Sequence, residues 1–229
     1  MGMIKIDAGG CAVRVSDPGP KGEAAWTGGC RDGLAEGDGT LVVRGEGQEV
    51  ESYAGRMSAG MYDGAGKLTQ ADGPTLEGRW KNGSLDGQGV ATWPDGSRYE
   101  GLFLGGKADG TGKFTGGNGG RYAGQWKEGR KHGAGRYDFA RGDVYEGEWA
   151  GDRPHGRGTY VWANGNRYEG QWSEGRMEGN GSFLWKDGDR YDGSWRDGRF
   201  DGPGKYRRAD GTVQEGRWTA GELRGPATR

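Results

Sequence analysis

Bulky and small or polar positions alternate along this chain in short bursts, and the bursts return every 23 residues. The recurring phrase is Tyr-x-Gly-x-Trp-x-x-Gly-x-x-x-Gly-x-Gly, with copies opening at Tyr53, Leu76, Tyr99, Tyr122, Tyr145, Tyr168, Tyr191 and Gln214. A degenerate copy opens at Trp26, 27 residues ahead of the next. Within each copy, ring, glycine and ring occupy positions 1, 3 and 5, the spacing that puts side chains on one side of an extended strand. A fixed period of this size marks a stack of small supersecondary units, each burying its apolar face only against its neighbours.

The turns between copies fix the register. Triplets such as Pro94-Asp95-Gly96, Ala163-Asn164-Gly165 and Lys186-Asp187-Gly188 end on glycine. A two-residue Asp-Gly loop would send Trp93 and Tyr99 to opposite faces. A three-residue loop with its glycine in the left-handed region pairs Ala91 with Tyr99 and Trp93 with Ser97. The second reading collects the large rings on one face, coupling Tyr137 to Tyr145, Tyr160 to Tyr168 and Phe183 to Tyr191. It also sets glycine against glycine, Gly135 against Gly147, leaving slots into which rings can lean. On the opposite face it places Lys67 beside Glu77, Arg136 beside Glu146 and Lys205 beside Glu215. The Gly-x-x-x-Gly-x-Gly stretch, positions 8–14 of each copy, reads as the loop at the other end. The predicted fold is all-β: an elongated single sheet, an antiparallel meander of about nine 23-residue hairpin repeats. Residues 1–25 form a non-repeating capping strip and 26–229 the array, opening at 26, 53, 76, 99, 122, 145, 168, 191 and 214.

Composition sharpens this picture. The 54 glycines in 229 residues would suggest disorder, but they recur at fixed repeat positions, where each answers a backbone demand. Apolar residues are few, yet ten Trp, ten Tyr and five Phe are large enough to hold a thin structure together. The net charge is −1 with both signs interspersed, so no basic stripe addresses nucleic acid. No run approaches the ~20 apolar residues of a membrane span. The segment Met1 to Gly10 lacks the apolar core of a secretory leader, and Ile6 stands where a myristoylation motif wants Ser or Thr.

The phrase resembles the MORN (membrane occupation and recognition nexus) repeat. The best matches are Tyr122-Ala-Gly-Gln-Trp-Lys-Glu-Gly-Arg-Lys-His-Gly-Ala-Gly135 and Tyr145-Glu-Gly-Glu-Trp149 with Pro154-His-Gly-Arg-Gly158. The similarity covers about residues 26–229. It implies curved single sheets of hairpins acting as scaffolds or protein-binding arms. Departures are Met57 and Phe103 at the Trp position, Leu76 and Gln214 at the leading Tyr, Gly151-Asp152 with its glycine one place early, and Ala227 at a final glycine.

The cysteines are Cys11 and Cys30. Two free thiols, one buried as a small apolar group, are one reading. A disulfide tying the strip across the first rung is the other. The run from Cys11 to Cys30 is also similar to the N-terminus of bacterial exported MORN proteins. A bridge would imply a periplasmic or secreted protein whose leader is absent from this chain; without it the cytoplasm is expected.

Catalytic and metal chemistry find little footing. His132 and His155 sit one rung apart, about 10 Å, with no third ligand, so no metal site is expected. Gly87-Gln88-Gly89 and its equivalents follow the repeat and precede strands, which rejects a dinucleotide fingerprint. Glu100, Glu146, Glu169 and Asp192 fall one per rung on the charged face and read as solvation. The chain is expected to be no enzyme and to need no cofactor. The expected function is a protein-binding scaffold whose aromatic groove is lined by Tyr122, Trp126, Tyr145, Trp149, Tyr168, Trp172, Tyr191 and Trp195, receiving a protein or peptide segment. The alternatives are peripheral phospholipid association, for which Arg207, Arg208, Arg217 and Arg224 are the candidate cations, and a homodimer through terminal strand edges.

Overall fold

A computed structural model describes residues 10–15 and 22–225, and the backbone of residues 2–5. Ala227 lies outside the described residues. Among them every regular element is a β-strand, and no helix is long and apolar enough to cross a membrane. The chain divides into two compact units, residues 1–117 and 118–229.

Each repeat folds as two strands of unequal length. In the second unit the pairs are Arg121–Lys127 with Arg130–Asp138, Val144–Ala150 with Arg153–Val161, Arg167–Ser173 with Arg176–Leu184, and Arg190–Arg196 with Arg199–Arg207. Val213–Thr219 and Glu222–Gly225 follow. The ladders run antiparallel between successive strands, a meander. The first unit repeats the plan from Leu34–Gly45 through Lys107–Thr115.

The glycine-closed turns adopt the three-residue form. Trp93 N–H donates to the Ser97 carbonyl at 2.9 Å and Gly96 N–H to the Trp93 carbonyl at 3.0 Å, with Gly96 at φ 82°. The register therefore pairs Tyr99 with Ala91 and Gly101 with Gly89. It likewise pairs Tyr137 with Tyr145, Tyr160 with Tyr168 and Phe183 with Tyr191, so the bulky rings share a face. Lys67 lies opposite Glu77, Arg136 opposite Glu146 and Lys205 opposite Glu215, as expected for the other face.

The opposite hairpin ends differ from the expected loop. Positions 9–17 are strand, as in Arg130–Asp138, and the reversal is a two-residue turn with both residues left-handed, Glu128 at φ 51° and Gly129 at φ 80°. Gly151 and Asp152, at φ 56° and 71°, make the same turn with the order exchanged. The glycine at position 12 serves a bulge instead: Gly133 at φ 57° absorbs the extra residues opposite the step from Gly124 to Gln125.

At the start of the first unit, Ala12–Val15 pairs with Gly2–Lys5 and meets the turns of the first rungs. Ala12 N–H donates to Gly33 O at 2.8 Å and Arg14 N–H to Gly60 O at 2.7 Å. Cys11, Val13 and Val15 are buried there, and Cys11 is disulfide-bonded to Cys30 with a Cα–Cα separation of 5.6 Å. The free-thiol reading is thereby set aside.

Candidate functional site

The leading tyrosine of each repeat lies flat over a pair of glycines. A Cβ added to Gly158 would stand 2.3 Å from the Tyr145 hydroxyl oxygen, and one on Gly135 would stand 2.2 Å from that of Tyr122. Each hydroxyl donates to the carbonyl three residues on: Tyr122 to Gln125 at 2.9 Å, Tyr145 to Glu148 at 2.9 Å, Tyr168 to Gln171 at 3.0 Å and Tyr191 to Ser194 at 3.1 Å. Burial raises the pKa of these phenols, that of Tyr191 to about 12. The tryptophan at position 5 then stands edge-on to two tyrosines. Trp149 lies 5.4 Å from the Tyr122 ring and 5.0 Å from the Tyr145 ring, near perpendicular to both. Its indole N–H donates back to the Gly135 carbonyl at 3.1 Å, and Trp172, Trp195 and Trp218 do the same to Gly158, Gly181 and Gly204.

This packing decides what the eight expected groove residues present to solvent. Tyr122, Tyr145, Trp149, Tyr168, Trp172, Tyr191 and Trp195 are all buried; Trp126 is half-buried. The seven buried rings form the core of the unit, and their hydroxyl and indole hydrogens are already bonded.

The expected position-16 rings Tyr137, Tyr160 and Phe183 are extended toward the glycine-closed turns by a row at position 18. Positions 16 and 18 share a strand face, and in three successive repeats position 18, just before the turn, carries Phe139, Trp162 and Trp185. Sequence signal existed: an aromatic residue two places past position 16 keeps the parity of the ring face. The two positions interleave into a continuous ribbon. Centroid separations are 4.4 Å for Tyr137–Phe139, 5.7 Å for Phe139–Tyr160, 4.5 Å for Tyr160–Trp162, 5.1 Å for Trp162–Phe183, 4.4 Å for Phe183–Trp185 and 5.3 Å for Trp185–Tyr206. Phe139, Trp162 and Trp185 are half-buried, and the Arg141 guanidinium stands 5.4 Å from the Phe139 ring centroid.

Polar clamps hold the ribbon's turns at a constant offset. Asp143 accepts from the Tyr160 hydroxyl at 2.5 Å and from Ala163 N–H at 2.9 Å, and Arg141 pairs with it at 2.6 Å. Burial opposes ionisation of Asp143, yet the bonds from Tyr160, Ala163 and Arg141 outweigh it and its pKa is lowered. Asn166 and Asp189 make the equivalent bonds to the Lys186 and Ala209 backbones, at 3.0 and 2.9 Å. Residue 22 of one repeat thus fastens the turn of the next.

One repeat departs from the apolar tenth position held by Leu85, Met177 and Phe200. Lys131 puts its ammonium 5.0 Å from the Tyr137 ring centroid, 5.2 Å from that of Trp149 and 5.9 Å from that of Tyr122. Burial lowers its pKa against the opposing pull of Asp152, 3.7 Å away.

The charged face of the second unit carries a shallow trough of about 870 Å³ lined by Arg136, Glu146, Glu148, Arg157, Glu169 and Gln171 among others. Its charged groups are largely engaged by the protein itself. Arg136 bonds Glu146 at 3.2 Å, Arg167 bonds Glu169 at 2.8 Å, and Glu148 accepts from Arg157 N–H at 2.9 Å. His132 and His155 are exposed, opposite Gln125 and Glu148. Among the described residues no group of three or more His, Cys, Asp or Glu could hold a metal ion.

Comparison with known proteins places the chain. The MORN repeat model matches seven consecutive copies, residues 53–75, 77–98, 99–121, 122–144, 145–167, 168–190 and 191–213. The chain belongs to the MORN repeat family. The copies opening at Trp26 and Gln214 flank the matched span. No curated protein matches the sequence. Among solved structures, the SAS-4 (dCPAP) TCP domain in complex with a proline-rich motif of Ana2 (dSTIL) of Drosophila melanogaster is similar over 67% of this chain and 84% of that one, at 11% identity and a TM-score of 0.40. At that score the likeness is loose.

Proposed function

We propose that the protein is a non-enzymatic protein-binding scaffold, and that its second unit receives a partner segment on the aromatic face. The observation that carries this reading is the row of half-buried Phe139, Trp162 and Trp185, interleaved with the buried Tyr160 and Phe183. Side chains that only filled the interior would be covered. These three lie beside covered rings and stay partly accessible, which is how an interaction surface differs from a core. The groove expected along Tyr122 to Trp195 is retained as a support: its buried rings set the spacing of the half-buried ones.

Selection from a library of random peptides against the whole protein tests this. Peptides that bind the wild type and lose at least tenfold in affinity against Trp162→Ala/Trp185→Ala are expected. Selected peptides that bind the folded double variant unchanged would remove the aromatic face from consideration. The bridge between Cys11 and Cys30 supports an oxidising compartment, periplasmic or extracellular. Thiols trapped fully reduced in protein taken from its native cells would count against that placement.

A further inference from the structure

We propose that the segment received by the Phe139–Trp162–Trp185 ribbon is proline-rich and binds as a left-handed polyproline helix; this rests on the docking reading above and specifies its partner. Three features converge. The first is pitch. Successive repeats place equivalent residues two strands apart, about 9.5 Å. A polyproline helix repeats every three residues, about 9.3 Å, so prolines at every third position meet successive rungs and drift by less than about 1 Å over the whole ribbon. An α-helix returns to the same face after seven residues, about 10.5 Å, and falls about 2 Å out of step across the same two intervals. An extended strand shows alternate side chains to one face every ~7 Å and fits no better.

The second feature is hydrogen-bond supply. The indoles of Trp149, Trp172 and Trp195 in the core all donate to glycine carbonyls of the chain. Among the described residues the indole N–H groups of Trp162 and Trp185 have no acceptor in the protein, and neither is buried from solvent. They offer two unsatisfied donors one rung apart. A polyproline helix makes no internal hydrogen bonds, so its carbonyls are free to accept at that interval. The third feature is surface type. Neighbouring rings are tilted on one another, Tyr160 and Trp162 at 44° and Phe183 and Trp185 at 48°, so the row is aromatic and uneven. An aromatic row suits the flat pyrrolidine ring, and a ligand already ordered before binding loses little entropy in docking on it.

The test uses three synthetic peptides of twelve residues against the full chain, with affinity read by calorimetry and tryptophan fluorescence. One carries proline at every third position in an alanine and lysine background. The second moves the same prolines to every fourth position, and the third replaces them with alanine to favour a helix. The first is expected to bind at least tenfold tighter than the others. Trp162→Phe and Trp185→Phe, which keep a ring and remove the donor, are each expected to weaken it three- to tenfold, with the fold monitored by circular dichroism. Peptides without the three-residue spacing that bind as well, and still depend on both tryptophans, would overturn the proline assignment and leave docking intact. Binding indifferent to both substitutions would overturn both readings. Absence of measurable binding by the in-register peptide at millimolar concentration would overturn the proline assignment.

Discussion

The glycine slot is the residue-scale feature on which each rung depends. Tyr145 fits because Gly147 and Gly158 both lack a side chain. An added Cβ on Gly158 would meet the tyrosine oxygen at 2.3 Å and the ring carbon bearing it at 2.6 Å. The ring is packed edge-on against Trp149 and Trp172 and has no room to withdraw. Gly158→Ala should therefore destabilise the protein by about 2–3 kcal/mol, the cost of forcing volume into a filled site. Urea denaturation followed by tryptophan fluorescence reads this directly; an unchanged midpoint would mean that the tyrosine does not occupy the slot. Sequence pattern points to one side of each slot, pairing Gly135 with Gly147 across the three-residue turn, whereas the partner Gly158 lies across the other hairpin end, where the pattern reads as a loop. It does not reveal that the tyrosine hydroxyl closes the slot by bonding a carbonyl three residues on, since that bond depends on the bulge beside Gly124, Gly147 and Gly170.

At the scale of the element, each hairpin is built from two unlike ends. The three-residue turn was legible because its glycine must be left-handed and its parity decides which face receives the rings. The other end was misread as a loop, because Gly-x-x-x-Gly-x-Gly contains two separate demands: a tight turn closed by the first glycine and a bulge at the second. A strand bearing a bulge glycine and a loop have the same local composition. The clamp from residue 22 to the next turn was also missed. It joins residues 20 apart through the stacking of rungs, a proximity that hairpin register alone does not supply. Asp143→Ala should remove three interactions, leave the Tyr160 hydroxyl without its acceptor, and cost about 2–3 kcal/mol. Asn166→Asp, which installs the residue used one repeat on either side, should stay within about 0.5 kcal/mol of the wild type. Hydrogen exchange at Ala163 and Lys186 separates the two: Asp143→Ala should speed exchange at Ala163 only. Equal protection of Ala163 in both variants would sink the clamp.

At the scale of the whole molecule, stability rests on a repeated phenol buried in the protonated form. Burial pushes Tyr53, Tyr99 and Tyr191 up to about 12, and raises Tyr122, Tyr145 and Tyr168 as well. In the unfolded chain these groups titrate near 10. The folded state then holds more protons than the unfolded state above that pH, so stability falls as pH rises. The tyrosine contribution is fully present below pH 10 and is lost progressively toward pH 12. Equilibrium unfolding should therefore weaken steeply above about pH 10, and phenolate absorbance should rise together with loss of structure. Six phenols ionising near 10 in a still-folded protein would contradict the burial of the ladder.

The period, the strand parity, the aromatic face, the charged pairs and the family were all contained in the order of residues. Each is a local or nearest-neighbour property, and a repeat copies local rules. Which rings became interior and which stayed reachable was decided by tertiary structure. Tyr122 to Trp195 had the composition of a binding row, and stacking buries all of its rings but Trp126 by seating tryptophans over preceding rungs. Phe139, Trp162 and Trp185, at the strand ends beside the turns, stay half-buried. Exposure is a property of what lies above a side chain, and only the assembled rungs determine that.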